Sequence, residues 1–381
     1  MKGFSNRLTY IEEYYFSKKL KEVRQLISEG KPVINMGIGS PDLPPHPSVI
    51  QALQETASDS LAHGYQGYQG IPELRKAFAD FYQKHYEVDL NPNAEILPLM
   101  GSKEGIIHIS MAFLNAGDEV LIPNPGYPTY ASAAQLVEAK AVFYDLDKAN
   151  DWQPNFAALE KNDLSKVKLM WVNYPHMPTG ARASQGLFEK IIQFGKKHDI
   201  LIIHDNPYSF ILEDKPSSIL SINGAKEIAM ELNSLSKTAN MAGWRVGALV
   251  GKAELVDAVL KVKSNMDSGM FLGIQKGAIA ALSLGQDWYA SLNETYAKRR
   301  NLVWELADLL DLEVEKDAVG MFVWAKIKND KTDIDFVDEL LDQHHLFITP
   351  GSIFGIQGKG YVRFSLCISE EKIKEVIYRI K

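Results

Sequence analysis

Ile200-Leu201-Ile202-Ile203-His204-Asp205-Asn206-Pro207-Tyr208 opens with four apolar residues in a row and breaks off in a carboxylate, an amide, a proline and a phenol. A run that is apolar at every position, rather than at alternate ones, marks a strand covered on both faces, as in a parallel sheet. Such sheets bind small molecules beyond the carboxyl ends of their strands. That places Asp205 and Tyr208 where a site forms, although an Asp after a strand is by itself commonly a turn residue or a cap.

The same punctuation repeats to either side. Strand-like runs at Ile96-Leu97, Glu119 to Ile122, Ala141 to Tyr144, Lys168 to Asn173 and Val246 to Val250 alternate with helical patterns. The helical stretches lie around Pro72 to His85, Lys103 to Leu114, Gln185 to His198 and Ala253 to Ser264. The alternation predicts a three-layer α/β/α large domain with a mostly parallel sheet over residues 47–285. From residue 286 to 381 the pattern becomes a long helix, strands near Met321 to Ile327 and Tyr361 to Leu366, and helices over Asp333 to His344 and Glu370 to Ile380. This reads as a smaller α+β domain. Residues 1–46 form an arm and part of that small domain. Its apolar positions Leu8, Ile11, Tyr15, Leu20, Val23 and Ile27 predict an amphipathic helix from Arg7 to Glu29, stopped at Gly30.

Composition narrows the function. The 381 residues are 46% hydrophobic and 23% charged, ordinary values for a folded globular chain. A net charge of −7 without a basic tract disfavours nucleic-acid binding. No apolar run reaches the roughly 20 residues of a membrane span. Met1 to Leu20 lacks the basic-then-apolar order of a secretory signal, and the single Cys367 excludes an intrachain disulfide, so a cytoplasmic location is expected. The nine histidines show no ligand spacing, His344-His345 included, and no metal is expected. Gly37-Ile38-Gly39 lacks the third glycine of a dinucleotide fingerprint.

Three further segments carry chemistry. Ser234-Leu235-Ser236-Lys237-Thr238-Ala239-Asn240-Met241-Ala242-Gly243-Trp244-Arg245-Val246-Gly247 sets one lysine among small and hydroxyl residues. A desolvated lysine of lowered pKa is nucleophilic near neutrality and can form an imine with a carbonyl cofactor. Ser234, Ser236 and Arg245 are phosphate-binding types. Asn124-Pro125-Gly126-Tyr127-Pro128-Thr129-Tyr130 stiffens a loop that can stack Tyr127 on a flat ring. Gly101-Ser102-Lys103-Glu104-Gly105 opens a helix whose free amides can receive phosphate oxygens, or is simply a cap.

In order and spacing these segments resemble the fold-type-I, pyridoxal-5'-phosphate-dependent aminotransferases of class I/II. The branch they are most similar to contains LL-diaminopimelate and alanine-type aminotransferases. The resemblance runs from Ile34-Asn35-Met36-Gly37-Ile38-Gly39-Ser40-Pro41-Asp42 to Tyr361-Val362-Arg363-Phe364-Ser365. It implies that Lys237 forms the imine with the cofactor and later moves the substrate α-proton. By the same resemblance Asp205 partners the ring nitrogen, Tyr208 the ring 3-oxygen, and Tyr127 stacks on the ring with Asn173 close by. Ser102, Lys103, Ser234, Ser236 and Arg245 correspond to the phosphate cup. Arg363 corresponds to the clamp on the α-carboxylate, assisted by backbone near Gly39. Tyr65 corresponds to a tyrosine that reaches the phosphate of a neighbouring subunit, so a homodimer with shared sites is implied. The expected substrates are an amino acid and a 2-oxo acid.

One departure stands out. The family usually reads Asn-Pro-Thr-Gly where this chain has Met177-Pro178-Thr179-Gly180. A thioether cannot donate the hydrogen bond that the family asparagine gives to the ring 3-oxygen. Ring polarisation then leans on Tyr208 unless His176 or Asn173 reorients. Losing such a bond removes roughly 1.5 to 3 kcal/mol, so a raised imine pKa is expected. Two alternatives stay open: a carbon-sulfur β-lyase using the same cofactor, and a ligand-sensing regulator. The regulator is disfavoured by the short, non-basic stretch preceding residue 47.

Overall fold

The structure is a computed structural model describing residues 5–8 and 15–381. Its main sheet has seven strands: β1 (Ile96–Leu99), β2 (Glu119–Asn124), β3 (Lys140–Asp145), β4 (Val167–Val172), β5 (Leu201–Asn206), β6 (Ala229–Ser234) and β7 (Gly247–Gly251). Their spatial order is β1-β7-β6-β5-β4-β2-β3, and β7 alone runs against both of its neighbours. The sheet is therefore mostly parallel, as the sequence predicts.

Strand periodicity splits the core between two faces. On β4, Leu169 and Trp171 join a cluster with Ile106, Ile109, Val256 and Val259 from helices Ser102–Phe113 and Ala253–Lys263. Met170 and Val172 join the other face, with Phe188 and Ile191 of helix Gln185–His198. Helices thus cover both sides. That last helix is fixed at both ends by local chemistry: the Ser184 side chain accepts from the Leu187 amide, Asp199 closes it in the left-handed conformation, and Lys196, Lys197 and His198 lie in its final turn.

Strand β6 is absent from the sequence prediction. Ala229-Met230-Glu231-Leu232-Asn233-Ser234 has three polar residues in six, yet all six are buried. Glu231 is the reason. Its carboxylate accepts from Tyr82 Oη (2.7 Å), Asn206 Nδ2 (3.2 Å), Ser218 Oγ (2.8 Å) and the Ile219 amide (3.1 Å), with His204 Nδ1 at 2.8 Å. A buried carboxylate is tolerated when so fully bonded, and none of its partners is near it in sequence.

A second, antiparallel sheet joins Thr349–Pro350, Tyr361–Ser365, Phe322–Ile327 and Leu312–Val314 in that order. Helices Asp333–His344 and Glu370–Ile380 accompany it. Ile34 and Asn35 pair in parallel with Leu346 and Phe347, and the Ser365 amide donates to Met36 O. The segment that follows, Gly37 to Asp42, is thereby laid beside Arg363. Of the helix expected from Arg7, the described residues form a 3-10 turn at Asn6–Leu8 and an α-helix at Tyr15–Ser28; Ile11 lies outside the described residues. No described helix is long and apolar enough to cross a membrane.

Candidate active site

A cavity of about 690 Å³ opens between the carboxyl ends of β4, β5 and β6 and the strand bearing Arg363. Twelve of the residues singled out in the sequence line it: Gly39, Ser102, Lys103, Tyr127, Asn173, Asp205, Tyr208, Ser234, Ser236, Lys237, Arg245 and Arg363. Tyr65 does not; it is 93% exposed on the outer surface.

At the floor, Tyr130 Oη donates to Asp205 Oδ2 at 2.8 Å, while Asp205 Oδ1 is buried with no hydrogen-bond partner. Burial pushes the Asp205 carboxyl up to about 6 despite the Tyr130 bond. Tyr130 lies on helix Thr129–Leu136, stacked 4.8 Å from Trp171. It sits in the quoted Asn124-to-Tyr130 stretch without having been assigned a role. Burial also raises the Tyr208 phenol, partly offset by the Arg363 charge.

Lys237 is on a short helix, Leu235–Thr238, directly after β6, and its Nζ donates to Gly39 O. Burial holds its ammonium below the usual lysine range, with Arg363 and Arg245 adding to the lowering and Cys367 opposing it. The amine is thus biased toward its nucleophilic form.

One end of the cavity is built for an anion. Helix Ser102–Phe113 is preceded by Gly101, whose φ is +86°, and its first amides have no intrahelical acceptor. A Cβ on Gly101 would stand 2.3 Å from Arg245 Nη2, so only glycine lets the guanidinium lie across the helix start. Arg245 itself has φ +57° and bonds Ala242 O at 2.9 Å and Ser236 Oγ at 3.4 Å. A left-handed non-glycine residue costs of order 1 to 3 kcal/mol and persists where surroundings enforce it. Ser102 Oγ is buried without a partner, and Ser234 Oγ accepts from the Ser236 amide at 3.2 Å.

The opposite end centres on Arg363. Its guanidinium lies 4.0 Å from the Phe322 ring centroid and 4.7 Å from that of Phe354. Nη2 donates to Gly37 O at 2.8 Å, and Nη1 to Met177 Sδ at 3.3 Å. Burial lowers the guanidinium to about 10, which leaves it charged at neutral pH. The loop carrying these carbonyls is clasped from behind: Arg299 binds Asp42 through both nitrogens (2.7 and 2.8 Å) and Leu366 O at 3.0 Å. Gly39 is required there, because a Cβ would meet the Phe322 ring at 2.3 Å. Phe322, Phe354 and Arg299 escaped the sequence reading, since nothing local marks them.

Of the two substitutes for the missing asparagine, one is hydrogen-bonded elsewhere and the other stands outside the cavity lining. Asn173 Nδ2 donates to Asp205 O at 2.7 Å and its Oδ1 accepts from the Met177 amide at 2.8 Å. His176 is buried with Nδ1 2.8 Å from Thr179 Oγ1 and does not line the cavity. A group of ligand-type residues that the histidine count overlooked, Glu104, His108 and Asp267, converges elsewhere, but Lys263 already pairs with Asp267 at 2.7 Å.

An orphaned carboxylate oxygen at the floor, a recessed amine of lowered basicity and a helix start beside an arginine thus share one cavity. The family model for aminotransferase class I and II matches residues 31–380, and the chain belongs to that family. It is 41% identical over 378 residues to the LL-diaminopimelate aminotransferase of Dehalococcoides mccartyi, covering 99% of this chain and 97% of the relative. It is 37% identical over 380 residues to that of Aquifex aeolicus, covering 99% and 98%. Among solved structures, substrate-bound BacF from Bacillus subtilis superposes with a TM-score of 0.95 at 37% identity, covering all of this chain and 97% of that one. The enzyme is a pyridoxal-5'-phosphate-dependent aminotransferase, and the lyase alternative gives way.

Proposed function

We propose that Lys237 is the residue that holds the cofactor and carries the proton in a transfer of the amino group from an amino acid to a 2-oxo acid. When bound, pyridoxal 5'-phosphate supplies an aldehyde for the amino group and a ring that accepts the electron pair left at the α-carbon. Asp205, with Oδ1 unpaired, supports a positive ring nitrogen; Tyr208 serves the ring 3-oxygen, and Tyr127 covers the ring face. Ser102, Lys103, Ser234, Ser236 and Arg245 hold the phosphate at the helix start. Arg363 binds the substrate carboxylate, with the Gly39 backbone beside it, and so fixes which α-carbon bond faces the ring. The Lys237 amine, in the same cavity as Arg363, would carry the proton at that carbon, and a positioned proton carrier is worth roughly 10²- to 10⁴-fold.

The observation that carries the reading is the convergence of the lowered Lys237 amine and the half-satisfied Asp205 on one cavity. Borohydride reduction of the holoenzyme followed by peptide mapping tests it: the cofactor adduct is expected on Lys237, and Lys237→Ala is expected to lose both adduct and turnover. An adduct on another lysine overturns it. We place the enzyme in the cytoplasm as a homodimer in which Tyr65 reaches the partner's phosphate. Leu61, Tyr65, Tyr68 and Met266 supply exposed apolar surface for that contact; a monomer mass by light scattering would refute it.

A further inference from the structure

We infer that Tyr130 is a positioning residue for amino transfer: its phenol fixes one oxygen of Asp205, so that the other meets the ring nitrogen as a carboxylate. The inference rests on the assignment of Asp205 to the ring nitrogen above.

The phenol is held on several sides. Its ring is buried and stacks on Trp171 of β4, with centroids 4.8 Å apart and planes 8° from parallel. It stands at 88° to the Tyr127 ring, 5.6 Å between centroids, and the Tyr130 amide donates to Tyr127 O at 3.2 Å. The turn is tethered in its own right, the Gly126 amide donating to Phe354 O at 2.8 Å. From that seat Tyr130 Oη donates to Asp205 Oδ2 at 2.8 Å. The backbone of Asp205 is fixed separately, its carbonyl accepting from Asn173 Nδ2 at 2.7 Å, so the phenol acts on the side chain. One turn of chain therefore carries both the ring assigned to the cofactor face and the donor behind the partner of its nitrogen.

The electrostatics of the floor agree with that geometry. Burial disfavours a charged Asp205; the Tyr130 bond opposes burial most strongly, His204 opposes it less, and Glu231 on β6 reinforces it. His204 and Glu231 are themselves engaged with each other at 2.8 Å. The Tyr208 phenol also feels the Asp205 charge. Burial and the Asp205 charge push the Tyr130 phenol well above the usual tyrosine range, so it stays a donor at neutral pH. Losing a hydrogen bond to a charged group amounts to about one to two pKa units. Without the phenol, the proton shared by Asp205 and the ring nitrogen is drawn about 10- to 100-fold toward the carboxylate. The ring then loses positive charge, and with it the pull on the electron pair left at the α-carbon.

The test uses holoenzyme loaded with cofactor that carries the heavy, NMR-active nitrogen isotope in its ring. At neutral pH the wild type is expected to give the resonance of a protonated ring. Tyr130→Phe, which keeps the ring that stacks on Trp171, is expected to retain cofactor and to move that resonance toward neutral pyridine. Its kcat is expected to fall about tenfold while KM for the amino acid stays within about twofold, since the Arg363 end is untouched. A variant resonance that coincides with the wild type overturns the inference and leaves the Asp205 assignment standing. A wild-type ring that is already unprotonated removes that assignment and the inference with it, so the two failures are told apart. In an Asp205→Asn background Tyr130→Phe is expected to leave the resonance where it is; a further displacement would mean that the phenol reaches the ring by another route and would overturn the argument.

Discussion

The two ends of the cavity are made differently. The cofactor end takes its groups from residues that follow neighbouring strands of one sheet: Asn173 after β4, Asp205 on β5, Ser234 on β6 with Ser236 and Lys237 just beyond. The end around Arg363 is assembled from five separate places in the chain: Gly37 to Asp42, Arg299, Phe322, Phe354 and Arg363. Hydrogen bonding within a rigid sheet fixes the first. The second depends on one bidentate ion pair, the Gly37 carbonyl of a loop and the carbonyl of Leu366. The first kind of site is robust and readable in short motifs; the second is composite, and its geometry is sensitive to residues that never touch substrate.

Substitutions at the two ends sharpen that contrast. On the proposed assignment Arg363→Leu removes the carboxylate clamp, whose charge-assisted bonds would be worth roughly 1.5 to 3 kcal/mol each, so kcat/KM for the amino acid should fall at least about 10²-fold. The cofactor should still bind and give its visible band, while loss of the Arg363 charge beside Lys237 and Tyr208 should raise the midpoint of its titration; a lost band would break the comparison. Asp205 gives the next effect, read in the cofactor-free protein. Its folded-state pKa is raised to about 6, so the folded chain binds this proton more tightly than the unfolded chain does. The contribution is complete below the unfolded carboxylate range, near pH 4, and is lost as pH rises through 6. Relative to Asp205→Asn, which cannot ionise, the wild type should lose up to about 3 kcal/mol between pH 4 and 7.5. Parallel denaturation curves for the two across that range would contradict a buried, unrelieved carboxylate.

A smaller shift is expected at the junction of the two ends. With Asn173 engaged and His176 outside the cavity lining, Tyr208 is the donor the proposal leaves to the ring 3-oxygen, and Met177→Asn should lower the midpoint of the visible-absorbance titration by about 1 to 2 pH units. A midpoint that does not move discards this. Smallest, Arg299→Met should raise KM for the amino acid about tenfold with kcat and the titration midpoint nearly unchanged, through slackening of the Asp42 clasp. A double variant with Asp42→Asn should be no worse than either single one; additive losses would mean the pair does not act as a unit.

Much of this was legible in the chain. Fully apolar runs such as Leu201-Ile202-Ile203 announced a sheet buried on both faces, and the string around Lys237 announced a lysine that does line the cavity. Strand β6 was hidden because its burial depends on Glu231 finding Tyr82, Ser218 and Asn206 across the fold. Tyr130 was in view but unassigned, since its bond to Asp205 spans 75 positions. The Phe322 and Phe354 sandwich and the Arg299 clasp were invisible for the same reason: spacing along a chain reports neighbours on one element, not meetings between elements.

Glu231 has a bearing on how this protein can change over time. With both carboxylate oxygens shared among several donors and the side chain fully buried, a single replacement there strands Tyr82, His204 Nδ1, Ser218 and the Ile219 amide at once. Descendants of this sequence should alter that spot only together with Tyr82, His204 and Ser218, making the foursome a natural fingerprint for tracing lineage within the enzyme group.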